Sequence, residues 1–371
     1  MTVYFWQRII SPHMVPLASA LVDLGVDVIY VAEQEMSVDR KEQGWVAPNL
    51  GKVRLLLCPS PQHATEIAET AGVDSVHICQ SVRANGTIRI AQSILAQRGL
   101  QQWAIIETVD DVGWRGVLKR ILYAYLLQRM HTQLTGILAI GWRTSQWIIE
   151  RGFPAERVFP FAYFLDDVID LGDQKPLRDR IKFLFVGQLV ERKRVDLMLN
   201  SFSRIHQCDF DLVIIGDGVL KKKLMQEADR ILPHRVHFLG ILSMDQVRKQ
   251  MCQADCLVLP SRHDGWGAVV SEALMVGTPV ICSDACGSAE VVEQSGVGGV
   301  FSSNDPNSLK ALLENTLECG IITADKRAQI AAWATSLGAK KGANYLKMVI
   351  SQNYNKGEPP QVPWRNCSGP P

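Results

Sequence analysis

A chain of 371 residues, 47% hydrophobic and 21% charged, is long enough for two domains and has the composition of a folded globular protein. Its formal net charge of +1 argues against a nucleic-acid binder, which carries a clear basic excess. The nine cysteines stand singly, with no CxxC pair and no Cys/His zinc spacing, and read as reduced cytoplasmic thiols.

Residues 1–17 are interrupted by Gln7, Arg8, Pro12, His13 and Pro16, and no apolar run reaches the roughly 20 residues that span a bilayer. A strand is predicted over 3–10, a loop over 12–14, a helix over 15–24 and a second strand over 26–32. Strand, loop, helix and strand form a parallel unit, yet the first loop has no glycine. A nicotinamide-dinucleotide enzyme needs GxGxxG there. The other GxG, Gly216-Asp217-Gly218, has Lys221 where its third glycine belongs. Further strands are expected at 53–58, 76–79, 103–107 and 136–140, with helices at 64–71, 87–97 and 144–151.

From 112 through 149 the chain has Arg115, Lys119, Arg120, Arg129 and Arg143 but no aspartate or glutamate. Leu118, Ile121, Leu122, Tyr125, Leu126 and Met130 recur at helical spacing within it. Such a helix either faces the core with a solvated basic side or, over 115–134, touches an anionic membrane surface. Residues 153–171 hold two prolines and no firm periodicity, and 166–180 is polar, so a linker is placed there, dividing domains at 1–170 and 171–336.

The second half alternates strand and helix: strands at 181–186, 210–215, 236–239, 257–259 and 280–282, helices at 195–205, 221–231, 244–253 and 268–276. That regularity implies an α/β fold with a second Rossmann-like, doubly wound parallel sheet. Gly265 and Gly267 let backbone N–H groups approach a ligand, and the helix starting near 268 turns its positive end to the same place, which suits a phosphate. Asp264 and Glu272 flank that loop; they either read ligand hydroxyls or serve as a cap and a solvated helix residue. Asp209-Phe210-Asp211 has metal-binding DxD spacing but begins a strand and has no partner motif, so it is assigned to structure and no metal is expected. Helices follow at 304–316, 325–336 and 337–351, and the proline- and glycine-rich 357–371 reads as a loose tail.

Asp264, Glu272, Ala273, Gly277, Pro279 and Val280, continuing through Gly287 and Glu290, resemble the donor motif of glycosyltransferase family four, retaining enzymes of the GT-B fold. The first acid of that motif is usually glutamate; here it is the shorter aspartate. Val186-Gly187-Gln188-Leu189 with Lys193 is similar to the family's diphosphate-holding segment, except that Gln188 replaces an arginine. The resemblance implies that Lys193 meets the diphosphate with helix N-termini, or that Arg192 or Arg194 substitutes for the missing cation. Phe238-Leu239-Gly240 resembles the strand end beside the nucleobase, with the backbone of Ile241 or Leu242 reading the base.

In the first half, Thr108-Val109-Asp110-Asp111 stands where the family has Thr-Val-His-Asp, so Asp110 either contacts the transferred sugar or helps cap the next helix. His13 matches only in location. The resemblance further implies donor contacts at Gly187, Gln188, Lys193, Gly265, Trp266, Gly267 and Glu272, catalytic roles for Asp264, Lys193, Asp110 and His13, and a last helix crossing back onto the first domain. The expected reaction moves a hexosyl-type group from a UDP- or GDP-sugar to a glycan or lipid-linked glycan, with no separate cofactor and no nucleic acid, in the cytoplasm or at the inner face of the cell membrane. A sugar-nucleotide epimerase, a phosphorylase and a binding protein without turnover are the alternatives.

Overall fold

The computed structural model describes residues 1–42, 44–83, 86–167, 179–205, 209–303, 305–351 and 359–365. Most of the linker expected over 166–180 lies outside them. The described residues fall into two compact units, one from 1–41, 46–167 and 337–363, the other from 42–45, 168–336 and 364–371.

The first unit contains β1 (Thr2–Ile9), α1 (Val15–Asp23), β2 (Asp27–Gln34), α2 (Val38–Glu42, its last residue in the second unit), β3 (Arg54–Leu57), α3 (Pro61–Thr70), β4 (Val76–Gln80), α4 (Ile88–Gln97), β5 (Gln101–Glu107), α5 (Gly113–Met130), β6 (Gly136–Ile140), α6 (Thr144–Ile149) and β7 (Val158–Phe161). All seven strands are parallel, in the order β3-β2-β1-β4-β5-β6-β7. The central strands are mostly apolar in their middles because helices cover both faces: Phe5, Ile78, Ala104 and Leu138 have essentially no exposure. Trp6, Val31 and Cys79 pack with Ala64 and Ala68 of α3 and Ala91 and Leu95 of α4 in one core layer.

β7 was not expected, since Pro160 sits inside it and 153–171 was read as linker. Proline lacks the N–H that a central strand must donate, but β7 is at the sheet edge and, among the described residues, pairs only with β6, from Ile137 opposite Val158 to Ile140 opposite Phe161.

The second unit contains β8 (Ile181–Val186), α7 (Val195–Ser203), β9 (Phe210–Ile215), α8 (Lys221–Ile231), β10 (Val236–Gly240), α9 (Met244–Gln253), β11 (Cys256–Leu259), α10 (Ala268–Met275), β12 (Val280–Ser283), α11 (Ala289–Ser295), β13 (Gly298–Phe301), α12 (Pro306–Cys319) and α13 (Ala324–Ala334). Its six parallel strands run β10-β9-β8-β11-β12-β13, so strand order reverses between β8 and β11. At such a switch point the loops leave in opposite directions and open a crevice beyond the carboxyl ends. β13 was missed because Gly298-Gly299 reads as a breaker. Those glycines are required, since a Cβ on Gly298 would overlap the Val280 carbonyl of the neighbouring strand.

α14 (Ala339–Ser351) returns to the first unit. Gly342 lies against the Phe164 ring with no room for a Cβ, and Tyr345 donates to the Pro160 carbonyl at 2.9 Å. The loose tail expected over 357–371 needs correction in its described part: Pro363–Arg365 is a 3-10 turn, and Trp364 is buried with its ring centroid 6.2 Å from that of Trp266. An indole hides enough apolar surface to hold even a proline-rich segment in place.

Candidate functional site

The second unit gathers its candidate residues at the β8/β11 switch point. β8 runs into Gly187 and β9 into Gly216, and the two loops touch backbone to backbone. Gly187 N–H donates to the Ile215 carbonyl at 3.0 Å, Leu189 N–H to the Asp217 carbonyl at 2.9 Å, and a Cβ on Gly216 would overlap the Gly187 carbonyl. Gly216 N–H donates in turn to the Gly240 carbonyl, 2.8 Å away. The Gly216-Asp217-Gly218 pattern therefore serves loop packing. Ile241 is exposed and Leu242 half-buried just past Gly240.

Lys193 ends the 3-10 turn Glu191–Lys193 and is only 8% exposed. Its Nζ is 2.5 Å from Asp264 Oδ2, and Ser261 Oγ donates to the same oxygen at 3.4 Å. Asp264 is fixed through its main chain as well, since its N–H donates to the Ala285 carbonyl and its carbonyl accepts from Gly287 N–H. Gly265 and Gly287 approach so closely that a Cβ on Gly287 would overlap the Gly265 carbonyl. Gly267 then caps α10 in the left-handed region at φ 83°, with Leu259 and Ser288 crowding the position of any Cβ. An ammonium, glycine loops and a helix N-terminus share one place, and together they suit a phosphate-bearing ligand.

Glu272, on α10, is half-buried, and among the described residues no group hydrogen-bonds its carboxyl. Burial raises its pKa above the ordinary carboxylate value, with the Arg248 guanidinium pulling the other way. An acid held without a partner is a candidate for meeting ligand hydroxyls.

Two departures from the family pattern acquire a setting. The Arg192 guanidinium lies 3.5 Å from Gln188 Oε1 and 3.5 Å from the His263 carbonyl, whereas Arg194 turns to Asp196 at 3.8 Å. Of the two arginines, Arg192 is the one that stands beside the position where the pattern has its cation. The Trp266 indole is buried, donates to Ser271 Oγ at 3.1 Å and packs on Trp364, so that its backbone is what it offers to the loop. Glu290 is gripped by the C-terminal turn, Arg365 Nε at 2.6 Å and Trp364 Nε1 at 3.3 Å. In the DxD stretch, Asp211 is ion-paired with Arg180 at 3.6 Å and lies 3.8 Å from His237 Nε2.

In the first unit, His13 follows β1, Glu107 ends β5 and Tyr163 follows β7. Tyr163 donates to Glu107 Oε1, and the His13 ring stands 5.3 Å from the Tyr163 ring. Burial, with help from Arg40, lowers the His13 pKa to about 4, so the imidazole is neutral at pH 7. Burial and the Glu107 carboxylate raise the Tyr163 phenol. Glu107 and Tyr163 were missed as site residues; an acid closing an apolar strand was the available signal.

The two aspartates after β5 do not cap α5. Val112 is the N-cap, and its own side chain makes no cap hydrogen bond. Asp111 accepts from Trp147 Nε1 at 2.9 Å and pairs with Arg120 and Arg151, contacts that outweigh burial and lower its pKa. Asp110 gives its carbonyl to Lys119 Nζ at 2.5 Å and its carboxylate to Val112 N–H at 3.5 Å.

Residues 171–335 match the family glycosyl transferases group 1. The second unit is thus similar to a glycosyl transferases group 1 domain. It is 35% identical over 127 residues to an uncharacterized glycosyltransferase of Methanocaldococcus jannaschii, a stretch that is 34% of this chain and 35% of that one. To the amylovoran biosynthesis glycosyltransferase AmsK of Erwinia amylovora it is 26% identical over 214 residues, 55% of this chain and 52% of that one. The matched stretches thus span about a third to half of these curated relatives. Among solved structures, the lipopolysaccharide outer core galactosyltransferase WaaB superposes with a TM-score of 0.70 at 16% identity, over 94% of this chain and 99% of that chain. HepE of Anabaena, in complex with UDP, superposes at 0.73 and 15%, over 95% and 100%. The group 1 match and these likenesses give the chain the GT-B fold.

Proposed function

We propose that the chain is a retaining glycosyltransferase that moves a hexosyl-type group from a UDP- or GDP-sugar to a hydroxyl of a glycan or lipid-linked glycan, in polysaccharide, lipopolysaccharide or glycolipid assembly. The observation that carries this reading is the buried Lys193–Asp264 pair at the switch point of the second unit. The GT-B chain of HepE, bound to UDP-glucose in one of its structures, supports the choice of donor class, and AmsK and WaaB support the class of product.

In this reading the donor diphosphate rests on Gly187 and the amides opening α10, with Lys193 and Arg192 as its cations. The anomeric C–O bond to the diphosphate breaks, the acceptor oxygen bonds to the same carbon from the same face, and the acceptor proton passes to the departing phosphate oxygen. Lys193 and the amide dipoles stabilise the charge that develops on that leaving group. Asp264 sets the ammonium and lies beside the sugar, Glu272 accepts from the ribose hydroxyls, and the backbone of Ile241 or Leu242 reads the base. In the first unit, Asp110 and His13 are assigned to the acceptor side of the reaction. No metal or further cofactor enters this scheme, and the protein works in the cytoplasm, at the inner face of the membrane when its acceptor is lipid-linked.

A thermal-shift panel of UDP-, GDP- and ADP-sugars beside NAD tests the reading. Ligand at about 100 times its dissociation constant adds ~2.7 kcal/mol of stability. At least one sugar nucleotide should raise the melting temperature, and Glu272→Gln should weaken that donor by roughly 1.5–3 kcal/mol, the worth of a charge-assisted hydrogen bond. A shift with NAD alone would overturn it.

A further inference from the structure

α5 turns its apolar stripe outward. Gly116, Tyr123 and Leu127 are its buried residues, whereas Trp114 is 70% exposed, Leu118 57%, Ile121 63% and Tyr125 58%. At about 100° per residue these four lie within roughly 60° of one another, on the side of the helix opposite Tyr123. The apolar periodicity that would ordinarily bury a helix is therefore spent on solvent. The opposite side already holds the helix in place: Tyr123 and Leu127 join Ala104, Ile137 and Ile148 in the core, and Arg120 pairs with Asp111.

We infer that α5 docks the first unit onto an anionic bilayer surface, with Trp114, Leu118, Ile121 and Tyr125 entering between the lipid headgroups. Charge selects this occupant. Residues 112–149 contain five arginines and lysines and no acid. Of these, Lys119 and Arg120 are turned to the Asp110 carbonyl and to Asp111, while Arg115 and Arg129 are exposed beside the stripe. The Arg115 guanidinium stands 5.3 Å from the Trp114 ring centre, and Arg129 Nη1 donates to the Tyr125 hydroxyl at 3.3 Å. Amphipathic rings with a cation at the rim suit the boundary between headgroup and acyl chain. A second copy docked on this face about a two-fold axis would set arginines against arginines with no carboxylate between them. Among the described residues no helix is long and apolar enough to cross a membrane, so the contact lies in the plane of the surface. The inference rests on this helix alone and stands or falls apart from what the second unit binds.

Co-sedimentation of the full chain with vesicles of phosphatidylcholine, with and without phosphatidylglycerol, tests it. The protein should pellet with the anionic vesicles, stay in solution with the neutral ones, and release as salt is raised. Trp114→Ser combined with Ile121→Ser should weaken vesicle partitioning by about tenfold or more, since two large apolar groups leave the interface. Its melting temperature should be unchanged because both side chains are exposed in the folded chain. Arg115→Gln with Arg129→Gln should weaken partitioning on anionic vesicles by about tenfold. A parent protein that stays in solution with anionic vesicles overturns the proposal, as does an apolar variant that pellets like the parent. Light scattering that shows a parent dimer and a monomeric Trp114→Ser/Ile121→Ser variant would assign the face to a second copy instead.

Discussion

At the carboxyl ends of β8, β9, β10 and β11 the second unit presents mostly backbone, whereas at the carboxyl ends of β1, β5 and β7 the first unit presents side chains. Gly216, Gly218 and Gly287 bring main chain against main chain, where a Cβ would overlap the Gly187, Leu189 and Gly265 carbonyls, and the Lys193 ammonium stands in the same place. In the first unit, His13, Glu107 and Tyr163 meet through an imidazole, a carboxylate and a phenol. A backbone site tolerates little variation in residue type, because a single Cβ closes it. A side-chain site is free to change its chemistry without disturbing the strands that carry it. Under the proposed function, the backbone site would be shared widely among donors and the side-chain site would vary with the acceptor.

The sharpest way to break the comparison is at Lys193, whose ammonium is nearly buried among the loops of the second unit. Lys193→Gln leaves the Asp264 carboxylate without its cation at a position where both side chains are about nine-tenths buried. Removing one partner of a buried pair costs about 3–5 kcal/mol. Loss of a group that stabilises developing charge lowers turnover by roughly 10²–10³. Initial rates with a sugar-nucleotide donor, read beside a melting curve, decide it. A variant that melts and reacts like the parent would make the pair a surface ornament.

The same contrast governs what could be read from the sequence. The second sheet was legible strand by strand up to β12 from its apolar runs and breakers, whereas Gly187 and Lys193 were singled out only through the family resemblance, and the structure brings Lys193 against Asp264 near the β8/β11 switch point. β7 and β13 escaped because Pro160 and Gly298-Gly299 look like breakers until edge position and close packing explain them. Tyr163 and Glu107 escaped for a different reason. They are 56 residues apart, and only the sheet order brings the ends of β5 and β7 near one another. The outward stripe of α5 was legible as a stripe, but periodicity alone does not say which side of a helix the core lies on.

The first unit offers a weaker lever, through pH. His13 has a folded pKa of about 4 against 6.5 when unfolded. As pH falls, the unfolded chain takes up this proton first, so stability is complete above pH 6.5 and is lost between 6.5 and 4. The loss is roughly 3 kcal/mol at most. His77, buried beneath Trp6 and lowered to about 3, adds to the loss in the same direction. His13→Asn should therefore melt like the parent near pH 7 and be the more stable of the two at pH 4.5. Parallel melting curves across that range would mean that the imidazole is solvated and the cluster with Tyr163 does not hold.

The smallest effect separates a lost cation from a relocated one. Gln188 removes a positive charge from the diphosphate segment, while the Arg192 guanidinium sits within 3.5 Å of its amide oxygen. If Arg192 has taken over the task, Arg192→Ala should raise the donor KM by about tenfold, in line with ~1.5 kcal/mol for a charge-assisted hydrogen bond at the low end of its range. Gln188→Arg in the parent should then change KM by less than about twofold, because a second guanidinium so close to the first gains little and meets like charge. In the Arg192→Ala background the same Gln188→Arg change should restore the donor KM, since the two positions would serve one phosphate group. A large gain from Gln188→Arg in the parent, or no rescue in the double variant, would show that the second unit works with Lys193 and its amides alone, and that the glutamine marks a real loss of charge.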